Sequence, residues 1–508
     1  MSEKNRFNLI DEPWIPVVDV GRASLRQIFT HPEYRALGGN PVQKIAITKL
    51  LLAIAQAAAT PEDDDAWSAL GPDGMAKACM DYLEQWYDRF WLYGDRPFLQ
   101  VKNLSTYKEQ PVGALIQGVS TGNTTVLNQS QIQSIILDDE WAMVVLVDQN
   151  FSVKHNLAYG AMTKPGAKGK GKATASGPSL GPSSYLHNFI LGKSLMQSIW
   201  FNHLTKEMVD RLPFEYKHDQ SRPVWEVDVP NRDSEHAKIL TNSYIGRLCP
   251  LSRFIERFDD SIKYSEGLIY PSHKDGGREV SVAYRISDKG ETFSINADPE
   301  MRPWRQLPSL LSFFVDMSSH NTTCYQLLLC LSHGRVRKHS DCFGIWSGGI
   351  RMSGDSYSQF AKSEDDYVES AIWLSNDIYS DPGLFVNKIE AEINGLSQVS
   401  KTLKKSVYRY FELQKNDDKE KKGNKNNMAS ALADQSISVF WSSCDRHFQE
   451  LINACSLSNS IHYIRSRFHN IALEVFDNFC PHDTARQLEA WAKCRPNLVD
   501  YLNQGEST

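Results

Sequence analysis

The sequence predicts an α+β protein: a mixed α/β N-terminal domain over residues 1–362, followed by a helical bundle over 363–508. Three observations predict it. Up to about Ser363 the apolar residues come in short runs, some alternating and some helical, punctuated by glycine and proline turns. Beyond Ser363 glycine and proline become rare and long amphipathic runs take over, at Asp365–Tyr379, Gly383–Gln414, Ala429–Ser456, Ile461–Phe479 and Asp483–Leu502. Short breakers, Asp381-Pro382 and Cys480-Pro481, separate these runs, as antiparallel neighbours in a bundle require.

Taken in order, Ile15–Val20 alternates before Gly21 and reads as an N-terminal hairpin leading into a short helix. Pro41 opens IAITKLLLAIAQAAA, apolar on nearly every face and therefore a buried helix. Gly74–Tyr93 reads as a second helix, its aromatics spaced by one and two turns. WAMVVLV (Trp141–Val147) reads as a buried strand, and Lys193–Leu204 as a helix. RPVWEVDV (Arg222–Val229) reads as extended, and Tyr244–Phe258 as a turn and helix carrying Arg247, Arg253 and Arg257. Val280–Ile286 and Glu291–Ile295 form a strand pair around the Asp288–Gly290 turn. The polar run Lys415–Asn427 reads as a disordered loop between bundle helices.

Composition bounds the function. The net charge is −6, so a nucleic-acid surface has to be a local patch, and a freely acting basic binder is excluded. The nine cysteines include no CxxC pair and read as reduced thiols of a cytoplasmic protein. No apolar run reaches the roughly 18 residues of a membrane span, and MSEKNRFNLI lacks a signal-peptide core. Cys330, His333, His339 and Cys342 lie close together but fit no standard zinc spacing.

The stretch Thr121–Ser184 carries the chemistry. From Lys154 to Ser184 it is mostly Gly, Ala, Ser, Pro and Lys, with Lys154, Lys164, Lys168, Lys170 and Lys172 and no carboxylate. A glycine-rich, cation-only segment beside a strand suits a phosphate chain. Gly166–Lys172 (GAKGKGK) satisfies most of GxxxxGK[ST], but Ala173 stands where the magnesium-binding hydroxyl belongs. No GxSxG, HExxH or supported carboxylate pair nominates a catalytic centre. Asp483 reads as a helix N-cap. In WSGGIRMSGDS (Trp346–Ser356), Gly348, Gly349 and Gly354 bracket Arg351 in a tight, exposed turn, where backbone approaches a ligand closely and Arg351 meets a phosphate.

Several ordered segments carry a family resemblance: FNLIDEPWIPV (Phe7–Val17), RPFLQ (Arg96–Gln100), GVSTGNTTVLNQ (Gly118–Gln129), GGIRMSGDS (Gly348–Ser356) and FWSSCDRHFQELI (Phe440–Ile452). As an ordered set spanning the chain they resemble the large subunit of the type I-E CRISPR Cascade complex, the CasA family. The resemblance implies a four-helix C-terminal bundle and a non-catalytic protein without cofactor. It implies as partners the other Cascade subunits, CRISPR RNA, double-stranded target DNA and a helicase-nuclease. It also implies recognition of the protospacer-adjacent motif from the minor groove, opening of the duplex and recruitment of the helicase-nuclease. Residue by residue, Asn128 resembles the asparagine of the first loop and Gly160, in LAYGAMTK, the glycine loop. Met352, Ser353 and Gly354 occupy the wedge, which here lacks the glutamine of some members. Lys263, just before GLIYP, lies nearest the minor-groove lysine, and the zinc cysteines of some members are absent.

The residues and the resemblance agree physically. The minor groove offers a degenerate code that glycine-loop backbone and a few cations read. Wedging base steps apart costs a few kcal/mol that phosphate contacts must offset, and guide pairing reads the remaining sequence. The five lysines, with Arg253 and Arg351 and with Arg247 and Arg257, are the cations available for those contacts. The rival readings are a P-loop-like nucleotide-binding or metal-dependent nucleic-acid enzyme, using Lys172 or the Cys330–Cys342 cluster, and a bundle scaffold without DNA contact.

Overall fold

The computed structural model describes the chain apart from residues 1–4, 105–108, 116–135, 155, 158–171, 183, 215, 217–220, 259–260, 315–321, 355–358, 361–365, 415–421, 457–460 and 504–508. It divides into two compact units, residues 1–303 with 317–371, and residues 304–316 with 372–508. The division therefore falls at 371/372 where the sequence places it at 362/363, and the segment 304–316 joins the helical unit.

The first unit is built on the helix Pro41–Ala59. Asn40 caps it, accepting from the Gln43 amide while the Gln43 side chain reaches back, and Pro41 occupies the first turn where no donor is lost. Its apolar residues run around every face, so it is covered by the helices Asp64–Gln85, Asp138–Phe151 and Tyr244–Leu248 and by the strand Cys342–Ile350. The helix is long and apolar enough by composition to cross a membrane, but most of it is buried inside the unit.

Among the described residues three three-stranded sheets and several two-stranded ones complete the architecture. One has the order Tyr367–Ser375, Cys342–Ile350, His187–Leu191. A second has Glu109–Pro111, Ser261–Glu266, Arg253–Phe258, with Lys263 opposite both Glu109 and Glu256. The third, Thr292–Ser294, Ala283–Ile286, Thr322–Cys324, includes the expected strand pair around Gly290. The expected N-terminal hairpin forms from Ile15–Val17 and Gly21–Ala23 and feeds the helix Leu25–Thr30.

Several expectations are corrected. Trp141–Val147 belongs to the helix Asp138–Phe151 and is not a strand. Asp138, Asp139 and Glu140 in its first turn complement the helix dipole, and its buried positions recur at helical spacing. Cys249-Pro250 stops the helix at Leu248, and Arg253–Phe258 is a strand. The aromatic helix runs over Asp64–Gln85, and Trp91–Tyr93 leaves it to pair with Arg6–Asn8. Tyr367–Ser375 is a strand because its buried residues, Val368, Ser370, Ile372 and Leu374, recur with a period of two.

In the second unit the 32-residue helix Pro382–Leu413, capped by Asp381, packs against the helices Lys422–Cys444, Phe448–Ser456, Ile461–Phe479 and Ala485–Cys494. Lys422–Asn427 of the polar run is thus helical, and Thr484 rather than Asp483 caps the helix that follows. Trp304 stacks on Phe448 at 5.5 Å and donates to Asp445 at 2.6 Å, which fastens the inserted segment. Glu392 on the long helix accepts a forked pair of bonds from buried Arg465, Nε lying 3.1 Å from both oxygens.

Removing one partner of that pair strands a buried charge. Glu392→Ala is expected to destabilise the helical unit by about 3–5 kcal/mol, whereas Glu392→Met with Arg465→Met is expected to cost far less. Chemical denaturation of the three proteins checks this ordering.

Candidate nucleic-acid interface

Two short ladders of the first unit, Asn156–Leu157 with Lys172–Ala173 and Ser353–Gly354 with Gln359–Phe360, each open and close a chain excursion and rest on hydrogen-bonded bases. The first carries the glycine–lysine segment. Asn150 and Ser152, at the end of the helix Asp138–Phe151, accept backbone bonds from Ser179 (3.0 Å) and Gly177 (2.7 Å). Further out, Asn156 pairs with Ala173 and Leu157 with Lys172. The chain therefore leaves and returns through one ladder, whose two strands residues 158–171 connect. Gly177 is required in the stem, because a Cβ there would collide with the Asn150 carbonyl.

The second excursion follows the strand Cys342–Ile350. Gly348 and Gly349 lie inside that buried strand, not in an exposed turn. A Cβ at Gly349 would stand 2.5 Å from the Tyr185 carbonyl oxygen, so glycine lets the strand lie against neighbouring backbone. The turn comes later. Met352 N–H donates to Ser184 Oγ at 2.9 Å, and Ser353 and Gly354 pair with Phe360 and Gln359. Arg351 is fixed through its N–H to Asp366 (2.8 Å), and its guanidinium lies 3.5 Å from Asp298 and 3.8 Å from Glu300.

Beside the first excursion lies the sheet that holds Lys263. Its ammonium sits 4.2 Å from the centre of the Phe258 ring. A cleft of about 360 Å³ opens along the same sheet, with Arg6, Lys102 and Arg257 among its walls and Tyr93 and Phe258 as aromatic sides. Glu256, the one carboxylate among its described lining residues, accepts from the Asn103 and Leu104 N–H groups at 2.9 and 2.7 Å. Arg257 donates to the Tyr93 hydroxyl at 2.6 Å and lies over the Trp141 ring. Among the described lining residues cations outnumber acids, and Arg6 is already paired with Asp138 at 3.0 Å, so an anion must compete with that carboxylate.

The structure reassigns two expected phosphate contacts. Arg253 is 1% exposed and its guanidinium is bonded to Tyr264, Ser252, Val153, Thr174 and Ala175, so it meets no external phosphate. Arg247 is likewise buried, donating to Glu279 at 2.8 Å and to the Pro271 carbonyl at 3.0 Å. Both positions looked like surface cations because their partners are remote in sequence. Lys154 is half-buried at the stem of the first excursion, and Lys172 stands in its ladder. Asn128, Gly160, Lys164, Lys168 and Lys170 lie outside the described residues. Sequence reasoning missed Arg6, Lys102 and Ser184, which no motif marks.

The rival chemistries find little footing. Lys172 lies in a two-residue strand, and the next helix begins only at Leu195, whereas a P-loop lysine opens a helix. Cys330 is packed against Gln326 and Arg335, and burial pushes its thiol up to about 11. His339 instead faces Ser68 and the stacked Trp67–Trp200 pair.

With this geometry in hand, comparison with known proteins is decisive. The family model for CRISPR-associated protein Cse1 matches residues 8–476. The chain belongs to the Cse1 family. A CRISPR-associated protein CasA/Cse1 of Thermus thermophilus is 27% identical over 341 residues, 61% of each chain, so the match spans under two thirds of that relative. The crystal structure of Thermus thermophilus CasA superposes with a TM-score of 0.73 at 18% identity, covering 98% of this chain and 100% of that one. Thermobifida fusca Cse1 gives 0.76 at 17% identity, covering 98% of both. A chain of a CRISPR RNA-guided surveillance complex gives 0.67 at 14% identity, covering 97% of this chain and 99% of that one. At these identities the superpositions establish that this Cse1-family chain has the α+β fold of those proteins.

Burial shifts several titrations in the first unit. Burial, with Lys49 second, pushes His187 down to about 4, and burial with Arg335 pushes His203 to about 3. Burial pushes Asp148 up to about 7, against the opposing pull of Arg253 and the Tyr264 hydroxyl. The two histidines are therefore neutral when folded and take protons on unfolding below about pH 6.5, which makes stability fall with falling pH. Asp148 has the opposite sign, losing stability as pH rises from about 4 to 7. Each group is worth about 1.4 kcal/mol per pH unit, so the two histidines outweigh the one carboxyl. We expect stability to decline from pH 6.5 to 4.5. Asp148→Asn is expected to steepen that decline and raise stability at pH 7, as denaturant titrations across this range would read.

Proposed function

We propose that this chain is the non-catalytic large subunit of a type I-E CRISPR RNA-guided surveillance complex, acting inside the cell. Its first unit reads the protospacer-adjacent motif in duplex DNA, chiefly from the minor groove. The observation that carries this reading is the Cse1 match over residues 8–476, which includes both excursions. In this reading Asn128, Gly160 and Lys263 approach the motif, and Met352, Ser353 and Gly354 wedge the first base step. Backbone from glycine-bearing turns suits a groove whose code is degenerate.

The cations have a complementary task. Lys154, Lys164, Lys168, Lys170 and Lys172, with Arg351 and with Arg6, Lys102 and Arg257 of the cleft, contact phosphates and offset the cost of opening the duplex. Arg351 has Asp298 and Glu300 beside it, so a phosphate must compete with two carboxylates there. The helical unit is read as the four-helix bundle of the family, which meets the other Cascade subunits and recruits the helicase-nuclease. Guide RNA carried by those subunits reads the rest of the target.

The test is a binding titration of the assembled complex on duplexes that differ only in the flanking motif. Preferred flanks are expected to bind at least about tenfold tighter, corresponding to ~1–3 kcal/mol per mismatched pair. Replacing Lys164, Lys168 and Lys170 together by Ala should weaken binding to every flank alike and reduce the salt slope by about 0.9 for each phosphate no longer neutralised. Equal affinity for all flanks would rule the reading out.

A further inference from the structure

One guanidinium links the two stems of the first excursion. Arg253 Nη2 donates to the Val153 carbonyl on the outgoing stem at 3.0 Å. The same nitrogen reaches the Ala175 carbonyl at 2.8 Å and Thr174 Oγ at 3.3 Å on the returning stem. The arginine is itself locked. Its N–H donates to Gln149 Oε1, its carbonyl accepts from Gln149 Nε2, and its Nε donates to the Tyr264 hydroxyl at 3.0 Å. Tyr264 in turn donates to Asp148 at 3.2 Å. On the returning stem, Ala175 N–H donates to Glu266, whose other oxygen accepts from Arg232 at 2.8 Å.

A buried arginine is costly unless its donors are used; here Nε and Nη1 are held by the Tyr264 hydroxyl and the Ser252 carbonyl, and Nη2 is spent on tying the two chain segments together. The planar guanidinium fixes the donor directions of Nη2, and so sets the stems' separation and register, which a flexible ammonium does not. We infer that Arg253 is a positioning residue for motif reading, a buried fork that fixes the exit and return of the glycine–lysine segment. The inference rests on the reading that this segment contacts DNA. Arg253 itself contacts none.

The test compares wild type and Arg253→Met in the assembled complex, on duplexes with and without the preferred flank. Arg253→Met is expected to lower the ratio of the two affinities about tenfold while binding without the flank changes less than about twofold, since the charged hydrogen bonds removed are of this size. Amide exchange at Gly177 and Ser179 should accelerate, with exchange in Pro41–Ala59 unchanged. A retained ratio, or unchanged exchange at both stem amides, would overturn the inference. Wild type that ignores the flank would instead overturn the underlying reading. If Arg253→Met does not assemble, Thr174→Val and Glu266→Gln each loosen one stem contact and should lower the ratio by about two- to threefold. No change in either would again overturn it.

Discussion

The first unit depends on one buried carboxylate held between two buried cations. Glu279 accepts from Lys49 at 2.9 Å and from Arg247 at 2.8 Å, with all three side chains at 4% exposure or less. Burial alone would raise the Glu279 titration, yet Lys49 and then Arg247 carry it below the usual carboxylate range. Burial also pulls Lys49 downward, and Glu279 opposes that pull. Such a cluster is costly to form and more costly to break, so its value here lies in what it fixes. Lys49 comes from the central helix, Arg247 from the helix Tyr244–Leu248, and Lys49 also donates to Ser179 on the returning stem.

The same network reaches the candidate interface. Ser179 donates to Asn150, and its carbonyl is bonded by His187 of the strand His187–Leu191. The base of the glycine–lysine excursion is thus tied to the central helix on one side and to the Arg253 fork on the other. Segments rich in glycine and lysine have little apolar surface with which to order themselves. Their placement has to come from below, and buried polar bonds have the directionality that apolar packing lacks. The late glycine turn follows the same logic with other means. There the strand Cys342–Ile350 lies against Tyr185, and Ser184 holds the Met352 amide.

Much of this architecture was legible in the sequence, and the failures have physical reasons. The hairpin at Gly21, the buried helix after Pro41 and the strand pair around Gly290 are local patterns decided by local rules. The helical texture past Pro382 is equally local. Trp141–Val147 misled because seven apolar residues in a row have no period, and three acidic residues just before them were the overlooked helix signal. Gly348 and Gly349 misled because a glycine pair marks close approach as readily as a turn. Arg253 misled most. An arginine is assumed to be exposed, and the partners that help bury this one include Val153 and Ala175, 100 and 78 residues away. The family resemblance pointed to both excursions, but it contained nothing about what holds them.

The central claim is that both excursions of the first unit meet the motif itself. Photo-crosslinking from positions 160 and 354, in the assembled complex on a target duplex, tests it most directly. The account predicts crosslinks from both positions that map to the flanking motif and the first base step beside it. Crosslinks confined to distant duplex, or none from either position while the complex remains bound, would contradict it.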